Sequence, residues 1–489
     1  MKTRFNSISC LFFLFSIVFF SNLTQAQQVQ WASKIIKMPS DLGGKQYGIK
    51  RILGKPDAFP QAGSSPNAWS PKNALKYRDV LEVGFEKPQT VKQVAIFENL
   101  NSGSVEKISV ADASGNYQVV WVRKGNWKTP LYRTTLSTDR SYYFKRKRRK
   151  VEEAPDVSFN PGIEIALLET PIANAVSVKV QFDFAIMPGQ KQIDAIGISD
   201  SDIPIEAKIN SLKEFENIAN PVLLNTGSLE AYAPIVSFDG KKLYFSSNGD
   251  SESESNNLDA KIYSFSKNSA GNWENPVVEN ATLNVNPNYN YQEANYPDFM
   301  VRGGRPTQVG TQECGYDIIE NAPNYTFLET IKIVGFNNYE DSSDLTITAD
   351  KKTIMIAIES DFSQGGTDIY FTTKKEDGTY NLLQNAGKII NSAADEDSIQ
   401  LLSDEKTLLF ASEGFSGYGS FDIYVTQRLD DTWKNWSEPI NLGSKINTSA
   451  FEGSHFYDEK SQILYYATVE NHKKIIKMVP LALVRLMGK

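Results

Sequence analysis

The sequence predicts an all-β protein whose second half is a five-bladed β-propeller preceded by a β-sandwich. Four turn aspartates recur with a spacing of 54 residues or about twice that, which indicates a repeated β unit. Short β-branched and aromatic runs alternate with Gly, Pro, Asn and Ser turns throughout the chain, and no helical periodicity competes with them. With 489 residues, 40% of them hydrophobic, the chain can bury two or three cores.

The first segment has the pattern of an export signal. Lys2 and Arg4 precede an apolar run over residues 11–20, and small residues follow before Ala26. We therefore predict a signal peptide over residues 1–26, and an exported protein in the periplasm, associated with the outer membrane or at the cell surface. The apolar run is about half of the roughly 20 residues that a spanning helix needs, so we do not expect a membrane span. Signal removal leaves Cys314 as the single thiol, and its reactivity stays open.

Composition and charge restrict the chemistry. Two His and two Cys leave little material for a zinc site, a Cys-His pair or a Ser-His-Asp triad. Residues 27–210 carry 26 Lys and Arg against 19 Asp and Glu, whereas residues 211–489 carry 23 against 39. The negative charge of the second half outweighs the positive charge of the first, so nucleic acid is not an expected partner. One basic run supplies six positive charges, as a solvated loop or as an electrostatic contact with an anionic partner. It consists of Lys145, Arg146, Lys147, Arg148, Arg149 and Lys150.

The acidic half is a repeat of about 54 residues. Its turn aspartates are Asp239, Asp350, Asp404 and Asp458, and the double gap after the first predicts a degenerate copy near Asp298. A second landmark, an aspartate that opens an alternating strand, recurs at residues 259, 317, 368 and 422. A third is an acidic residue at the start of each unit. These residues are Glu230, Glu293, Glu340, Glu396 and Glu452. All three landmarks predict five blades of four strands, over residues 206–489.

The ends of the repeat predict a closed ring. The last unit lacks an outer strand after residues 474–479, and a matching strand precedes the first unit at residues 220–225. Pairing of these two strands would remove the exposed edges of an open array. We therefore expect a propeller that is closed by its N-terminal strand.

The repeat resembles a known family of propellers. Residues 234–247, followed by Asp-Ile-Tyr, are similar to the WD-repeat-like propellers of TolB-type periplasmic proteins. The longer motif over residues 438–452 is similar to propellers of Bacteroidota envelope proteins that also carry an OmpA-like peptidoglycan-binding domain. Some of those proteins belong to secretion and gliding machinery. The OmpA-like domain is absent here, since the chain ends at Lys489 after the last blade, so direct peptidoglycan anchoring is not expected.

The first half, residues 27–205, reads as a sandwich of short strands. The motifs over residues 53–57, 68–69, 83–99 and 193–197 resemble discoidin or galactose-binding-like jelly rolls. That resemblance implies loops that bind glycans or lipid headgroups, and a calcium ion in the loop over residues 54–69. Asp57 is the candidate ligand, although an aspartate after proline also caps turns. Trp69 and Trp127 are candidate platforms for sugar stacking, or else edges of the core.

Three functions fit these features. We interpret the chain as a non-catalytic interaction or scaffold protein of the bacterial cell envelope, an accessory of secretion or gliding machinery. Its partners would be envelope or outer-membrane proteins, with no enzyme activity and no cofactor beyond the calcium ion. One alternative is a carbohydrate-binding protein that acts through the jelly roll. The other is a propeller glycosidase or lyase with an acidic pair at the channel mouth, for which Asp298 is the candidate residue.

Overall fold

The computed structural model describes residues 27–73, 78–124, 161–187, 189–249, 260–287, 290–306, 312–335 and 344–483. These residues form one seven-stranded sheet and five four-stranded sheets, joined by loops and by the short 3₁₀ helices Ile49–Ile52 and Lys213–Asn217. The predictions of an all-β chain and of five blades are confirmed. The predicted signal segment, residues 1–26, lies outside the described residues.

The N-terminal sheet is organised by two long antiparallel strands, of 21 and 22 residues, whose pairing is interrupted by bulges. Their alternating apolar residues, such as Val94 and Val178, fill a core with no exposure to solvent. The strand order is β1-β7-β3-β6-β4-β5, and β2 pairs with β3. The strands are β1 (Val29–Trp31), β2 (Lys34–Lys37), β3 (Arg78–Glu98), β4 (Val105–Asp112), β5 (Tyr117–Val122), β6 (Gly162–Asp183) and β7 (Ala195–Ser199).

The five remaining sheets are the blades, each with an inner strand at the channel and three strands outward from it. The inner strands are β9 (Tyr232–Val236), β13 (Tyr291–Asn295), β17 (Asp344–Ile347), β21 (Glu396–Leu401) and β25 (Glu452–Asp458). The second strands are β10 (Lys242–Ser247), β14 (Met300–Pro306), β18 (Thr353–Glu359), β22 (Thr407–Ser412) and β26 (Ile463–Glu470).

The outer half of each blade completes the sheet. The third strands are β11 (Lys261–Ser266), β15 (Gln312–Ile319), β19 (Thr367–Thr373), β23 (Asp422–Gln427) and β27 (Lys473–Pro480). The fourth strands are β12 (Val277–Val278), β16 (Phe327–Thr330), β20 (Gln384–Asn385), β24 (Ile440–Asn441) and, in blade 5, β8 (Val222–Leu223). Strand β8 precedes blade 1 in the chain and pairs with β27 through Leu223 and Lys477.

The recurring aspartates have a local structural role. In each of four hairpins between an inner and a second strand, the aspartate Oδ1 accepts a hydrogen bond from the backbone N–H two residues later, which favours a tight turn. These pairs are Asp239 with Lys241 at 3.1 Å, Asp350 with Lys352 at 2.9 Å, Asp404 with Lys406 at 2.8 Å and Asp458 with Lys460 at 3.1 Å. The aspartates are therefore regularly spaced in the sequence because each belongs to the same hairpin turn of a different blade.

Apolar side chains fill the spaces between blades. One cluster joins blades 3 and 4 through Met355 and Phe410, and another joins blades 4 and 5 through Leu409 and Tyr466. Similar clusters lie between blades 1 and 2, between blades 2 and 3, and between blades 5 and 1. Around the ring each inner strand contacts the next, including β25 with β9. Each blade thus buries its faces only against its neighbours.

The N-terminal sheet domain meets the propeller through one loop. Asn67, which is 1% exposed, donates to the carbonyl of Gly414 at 2.7 Å and accepts from the N–H of Ala393 at 2.7 Å. Arg51 donates to the carbonyl of Gln364 at 3.1 Å. Ala393 lies three residues before inner strand β21, so this contact is on the face of the propeller where the inner strands begin.

Candidate functional site

The centre of the ring is a narrow polar channel lined by all five inner strands. Its wall includes residues 233–235 of β9, 291–293 of β13, Asp344 of β17, 398–400 of β21 and 454–456 near the start of β25. The cavity between these side chains has a volume of about 60 Å³.

Bulges in the inner strands shape the channel. In β9, β21 and β25 two residues face one on the second strand, and the first of each pair has a left-handed backbone: Ala233, Ser398 and Ser454, with φ of 50°, 53° and 41°. Strand β13 has a bulge at Glu293 without a left-handed residue, and β17 pairs regularly. A bulge redirects the side chains that follow it, and bulges are common beside active sites. Blades 2 and 3 therefore line the channel differently from the other three.

Two carboxyl groups meet at the start of the inner strands of blades 3 and 4. The N–H of Ser398 donates to Asp344 Oδ2 at 2.7 Å and to Asp397 Oδ1 at 2.8 Å, and the two carboxyls are hydrogen-bonded to each other. Burial and the charge of Asp397 raise the pKa of Asp344 well above its usual range. The two carboxyl groups therefore lie at hydrogen-bonding distance from each other and share the N–H of Ser398.

Blade 2 adds a third carboxyl group at the bulge. Burial raises the pKa of Glu293 well above its usual range, against the opposing effect of a hydrogen bond from the backbone of Leu345. Its Oε1 is buried without a hydrogen-bond partner. The neighbouring Gln292 is 5% exposed, and neither atom of its amide group has a partner. An unpaired buried polar group costs about 1 to 3 kcal/mol, so such a cluster is expected where a ligand binds.

His455 of blade 5 completes the polar wall. It is 8% exposed. The backbone of Leu409 lies close to the imidazole ring, but neither ring nitrogen has a well-formed hydrogen bond. Burial lowers the pKa of His455 to about 3. The imidazole is therefore neutral at neutral pH and offers one donor and one acceptor to the channel.

The acidic residues that open the repeats are of two kinds. Glu396 and Glu452 are fully buried within their blades, where each accepts the N–H four residues earlier and a hydroxyl of the second strand. In blade 2 the residue that accepts the equivalent N–H is Asn290, which is bonded to the N–H of Asn286 at 2.9 Å. Glu293 was expected to be the counterpart of Glu396, but it lies three residues further on, in the bulge.

Other acids of the repeat are structural. Asp368 accepts the N–H of Gln364 at 2.7 Å, and Asp422 accepts the N–H of Tyr418 at 2.7 Å. Each also accepts from an asparagine of the outer strand of its own blade. These hydrogen bonds to loop backbone explain the recurrence of the two aspartates without catalysis.

Asp298 does not belong to the channel. It is exposed in the turn between β13 and β14, at the opposite end of the inner strand from Tyr291. In the divergent blade, the acidic residue at the channel is Glu293 and not Asp298. Sequence offered one signal for this choice: Glu293 directly follows another polar residue inside a strand that is otherwise expected to alternate.

Trp69 is not a platform for sugar stacking. Its side chain is fully buried in the N-terminal core, with its ring 5.8 Å from Phe182 and 6.3 Å from Phe184, and its indole N–H donates to the carbonyl of Ser40. Of the two readings that the sequence left open for Trp69, its burial supports the core residue and excludes the stacking platform. The other candidate platform, Trp127, and the basic run of residues 145–150 lie outside the described residues.

Asp57 lies against a second carboxylate, Asp194. Asp194 accepts the backbone N–H groups of Asp57, Ala58 and Phe59 at 3.1 to 3.2 Å, and the two carboxyls are hydrogen-bonded. Burial and the neighbouring charge raise the pKa of Asp57 well above its usual range. Among the described residues no group of three His, Cys, Asp or Glu side chains is placed to hold a metal ion. Calcium binding at Asp57 stays a prediction.

The described part of the chain has no helix of the length and apolar character required to span a bilayer. Comparison with family models gave no match, and comparison with curated proteins gave none either.

Solved structures provide the remaining comparison. The chain is similar to a GH43_1 enzyme from Xanthomonas citri, with 13% identity and a TM-score of 0.36 over 56% of this chain and 93% of that one. It is similar to a mannose phosphorylase from Leishmania mexicana, with 11% identity and a TM-score of 0.36 over 56% and 93%. A member of the GH130 family, described as targeting β-1,2 mannosidic linkages in Candida mannan, gives 7% identity and a TM-score of 0.32 over 57% and 95%.

These findings contradict the interpretation of the chain as a non-catalytic envelope scaffold without enzyme activity. The solved proteins that it resembles are described as glycoside hydrolases and phosphorylases, and none of the three is described as a scaffold. At such identities the similarity extends to the fold alone. What this chain does must therefore be argued from its own channel.

Proposed function

We propose that the protein is a carbohydrate-active enzyme that cleaves a glycosidic bond at the mouth of the propeller channel. The observation that supports this is the meeting of Glu293, Asp344 and Asp397, from three different blades, at one end of the channel. Enzymes that cleave glycosides use one carboxylic acid and one carboxylate on opposite sides of the scissile bond. Environments that separate the pKa values of neighbouring carboxyl groups assign these roles.

Glu293 is suited to the role of general acid. Its raised pKa keeps the carboxyl protonated, so it can donate that proton to the glycosidic oxygen as the bond to the anomeric carbon breaks. The Asp344–Asp397 pair would act as the base and take a proton from the water that bonds to the anomeric carbon. The hydrogen bonds from Ser398 fix the orientation of both aspartates.

Activity measurements on the purified full chain test this proposal. Release of sugar from a panel of aryl glycosides and oligosaccharides should be detectable, and Glu293→Gln, Asp344→Asn and Asp397→Asn should each lower kcat by about 10² to 10⁴-fold. Asp298→Asn is the matched control, because it lies in the same blade as Glu293 but outside the channel, and it should keep full activity. Absence of turnover on every substrate, or equal loss in Asp298→Asn, would contradict the proposal.

Four finer features of the fold and location are proposals too. The pairing of β8 with β27 supports closure of the ring by the strand that precedes blade 1. We propose that the N-terminal domain is a galactose-binding-like jelly roll and that the blades are of the WD-repeat-like, TolB-type class, on the sequence motifs given above. We also propose export of the protein, on the pattern of residues 1–26. N-terminal sequencing of the protein recovered from its natural cells would test export, because it should begin at Gln27.

A further inference from the structure

The channel wall is free of positive charge in the part of the chain that the structure describes. Its ionisable groups are Glu293, Asp344 and the neutral imidazole of His455, with Asp397 beside them. The propeller segments at residues 250–259, 288–289, 307–311 and 336–343 contain no Lys, Arg or His in the sequence. An anionic ligand inside the channel would therefore meet the carboxyl groups without a cation among the described lining residues.

Two arginines of blade 2 lie on β14, the strand next to its inner strand. Arg302 is 4% exposed and donates to Asp317 at 3.2 Å and to the carbonyl of Thr282 at 3.3 Å. Its charge is thus compensated within the blade. Arg305 lies at the end of the same strand, one strand removed from the channel.

The unpartnered groups of the channel are of the kind that hydroxyl groups satisfy. The amide of Gln292 has two donors and an acceptor, and the neutral ring of His455 has one of each. A hydroxyl donates and accepts at once, so a pair of sugar hydroxyls can bond to both side chains. Leaving these groups unpaired costs free energy that a matching polyol would recover.

The size of the cavity limits how the sugar enters. A volume of about 60 Å³ is well below the roughly 300 to 1,000 Å³ of pockets that enclose a small-molecule ligand. A bound sugar therefore lies at the mouth and extends hydroxyl groups inward. The same space can hold the attacking water beside the aspartate pair. A phosphate group, with a charge of about −1.5 to −2 at pH 7, would meet repulsion there.

We infer that the channel binds a neutral sugar residue at its mouth and that the sugar is transferred to water rather than to phosphate. This inference rests on the proposed function and names its substrate class. In the hydrolysis, the bond between the anomeric carbon and the glycosidic oxygen breaks. The proton of Glu293 goes to that oxygen, and the water oxygen bonds to the carbon while its proton goes to the aspartate pair.

Calorimetric titration of the full-length Glu293→Gln variant tests the binding part. The probes are matched pairs of neutral sugars and their uronic acids, such as galactose with galacturonate and glucose with glucuronate, together with inorganic phosphate. We expect at least one neutral sugar to bind, its uronate to bind at least tenfold more weakly, and phosphate not to bind. Gln292→Leu and His455→Leu, each in this background, should weaken the neutral sugar about fivefold or more, and Arg305→Gln should not change it.

Several results would overturn the inference. These are equal binding of a uronate, phosphate binding that is lost in Arg305→Gln, absence of binding by every sugar, or sugar 1-phosphate as the product of wild-type turnover in phosphate buffer. Thermal unfolding of each variant checks that it is folded, and the two single substitutions provide independent tests if one does not fold. Binding without turnover would contradict the proposed function and the transfer to water, and would leave only the binding of a neutral sugar standing. Turnover that needs phosphate would contradict the inference and leave the cleavage of a glycosidic bond standing.

Discussion

Blades 4 and 2 differ in how they use an acidic residue near the start of the inner strand. In blade 4, Glu396 is fully buried and accepts hydrogen bonds from the N–H of Ser392 at 2.8 Å and the hydroxyl of Ser412 at 2.8 Å. In blade 2 the equivalent position is Asn290, and the acid, Glu293, lies in a bulge with an unpartnered oxygen.

The difference separates stability from function. The acid of blade 4 holds the blade together, whereas the acid of blade 2 carries the cost of burial without full compensation. In a channel, water or a ligand can supply the partners that the protein does not. A departure from the repeat therefore indicates the site better than the repeat itself does.

Stability should depend strongly on Glu396 and little on Glu293. Glu396→Ala removes two buried hydrogen bonds and leaves their donors unpaired, so we expect a loss of about 2 to 4 kcal/mol in the free energy of unfolding. Glu293→Ala should cost about 1 kcal/mol or less, because it loses only the hydrogen bond from the N–H of Leu345 and its Oε1 has no partner. Urea denaturation measures the free energy of unfolding of both variants. Equal losses would contradict the distinction between the two acidic residues.

The pH dependence of stability should show the burial of His455. Its pKa is about 3 in the folded chain against 6.5 in the unfolded chain, so the unfolded state binds more protons between these values. Stability should therefore fall as pH falls from 6.5 toward 3, with a slope of at most about 1.4 kcal/mol per pH unit from this group.

His455→Gln should reduce that slope, measured by thermal or urea unfolding between pH 7 and pH 5. Glu293 and Asp344, whose pKa values are raised, contribute with the opposite sign, since their stability is lost as pH rises above their unfolded values. They remain in both proteins, so the difference between the two slopes isolates His455. The exposed His472 supplies the control His472→Gln, which should keep the parent slope. An unchanged slope in His455→Gln would contradict burial of a neutral ring.

The turns of the two blades should differ by a smaller amount. Asp404 of blade 4 accepts from the N–H groups of Lys406 and Thr407, so Asp404→Ala should cost about 1 kcal/mol. Asp298→Ala, in the exposed turn of blade 2, should stay within about 0.5 kcal/mol of the parent. Chemical denaturation at pH 7 resolves this difference, and a larger loss in Asp298→Ala would mean that the turn of blade 2 is built like the others.

The five blades could be predicted because their turns are local. An aspartate that bonds the N–H two residues later needs only a short segment of chain, so its spacing of 54 residues is visible in the sequence. The divergent copy at blade 2 was placed correctly for the same reason, since its turn lies at residues 296–299.

The site could not be predicted in the same way, because its residues come together through tertiary structure. Glu293 was read as the counterpart of Glu396, since a count of acidic residues does not reveal a bulge. Asp344 and Asp397 belong to different blades and meet only when the ring forms. Trp69 appeared to be a surface ring, but contacts with Phe182 and Phe184, more than 100 residues away, place it in the core.

The role of Glu293 as the general acid is tested most directly by leaving-group dependence. The measurement compares kcat/KM of wild type and Glu293→Gln on dinitrophenyl glycosides, which need no proton on departure, and on alkyl glycosides or oligosaccharides, which do. We predict a loss of about 10² to 10⁴-fold on the second class and a loss of less than about tenfold on the first. Equal loss on both classes, or no loss on either, would contradict the assignment of Glu293 as the acid.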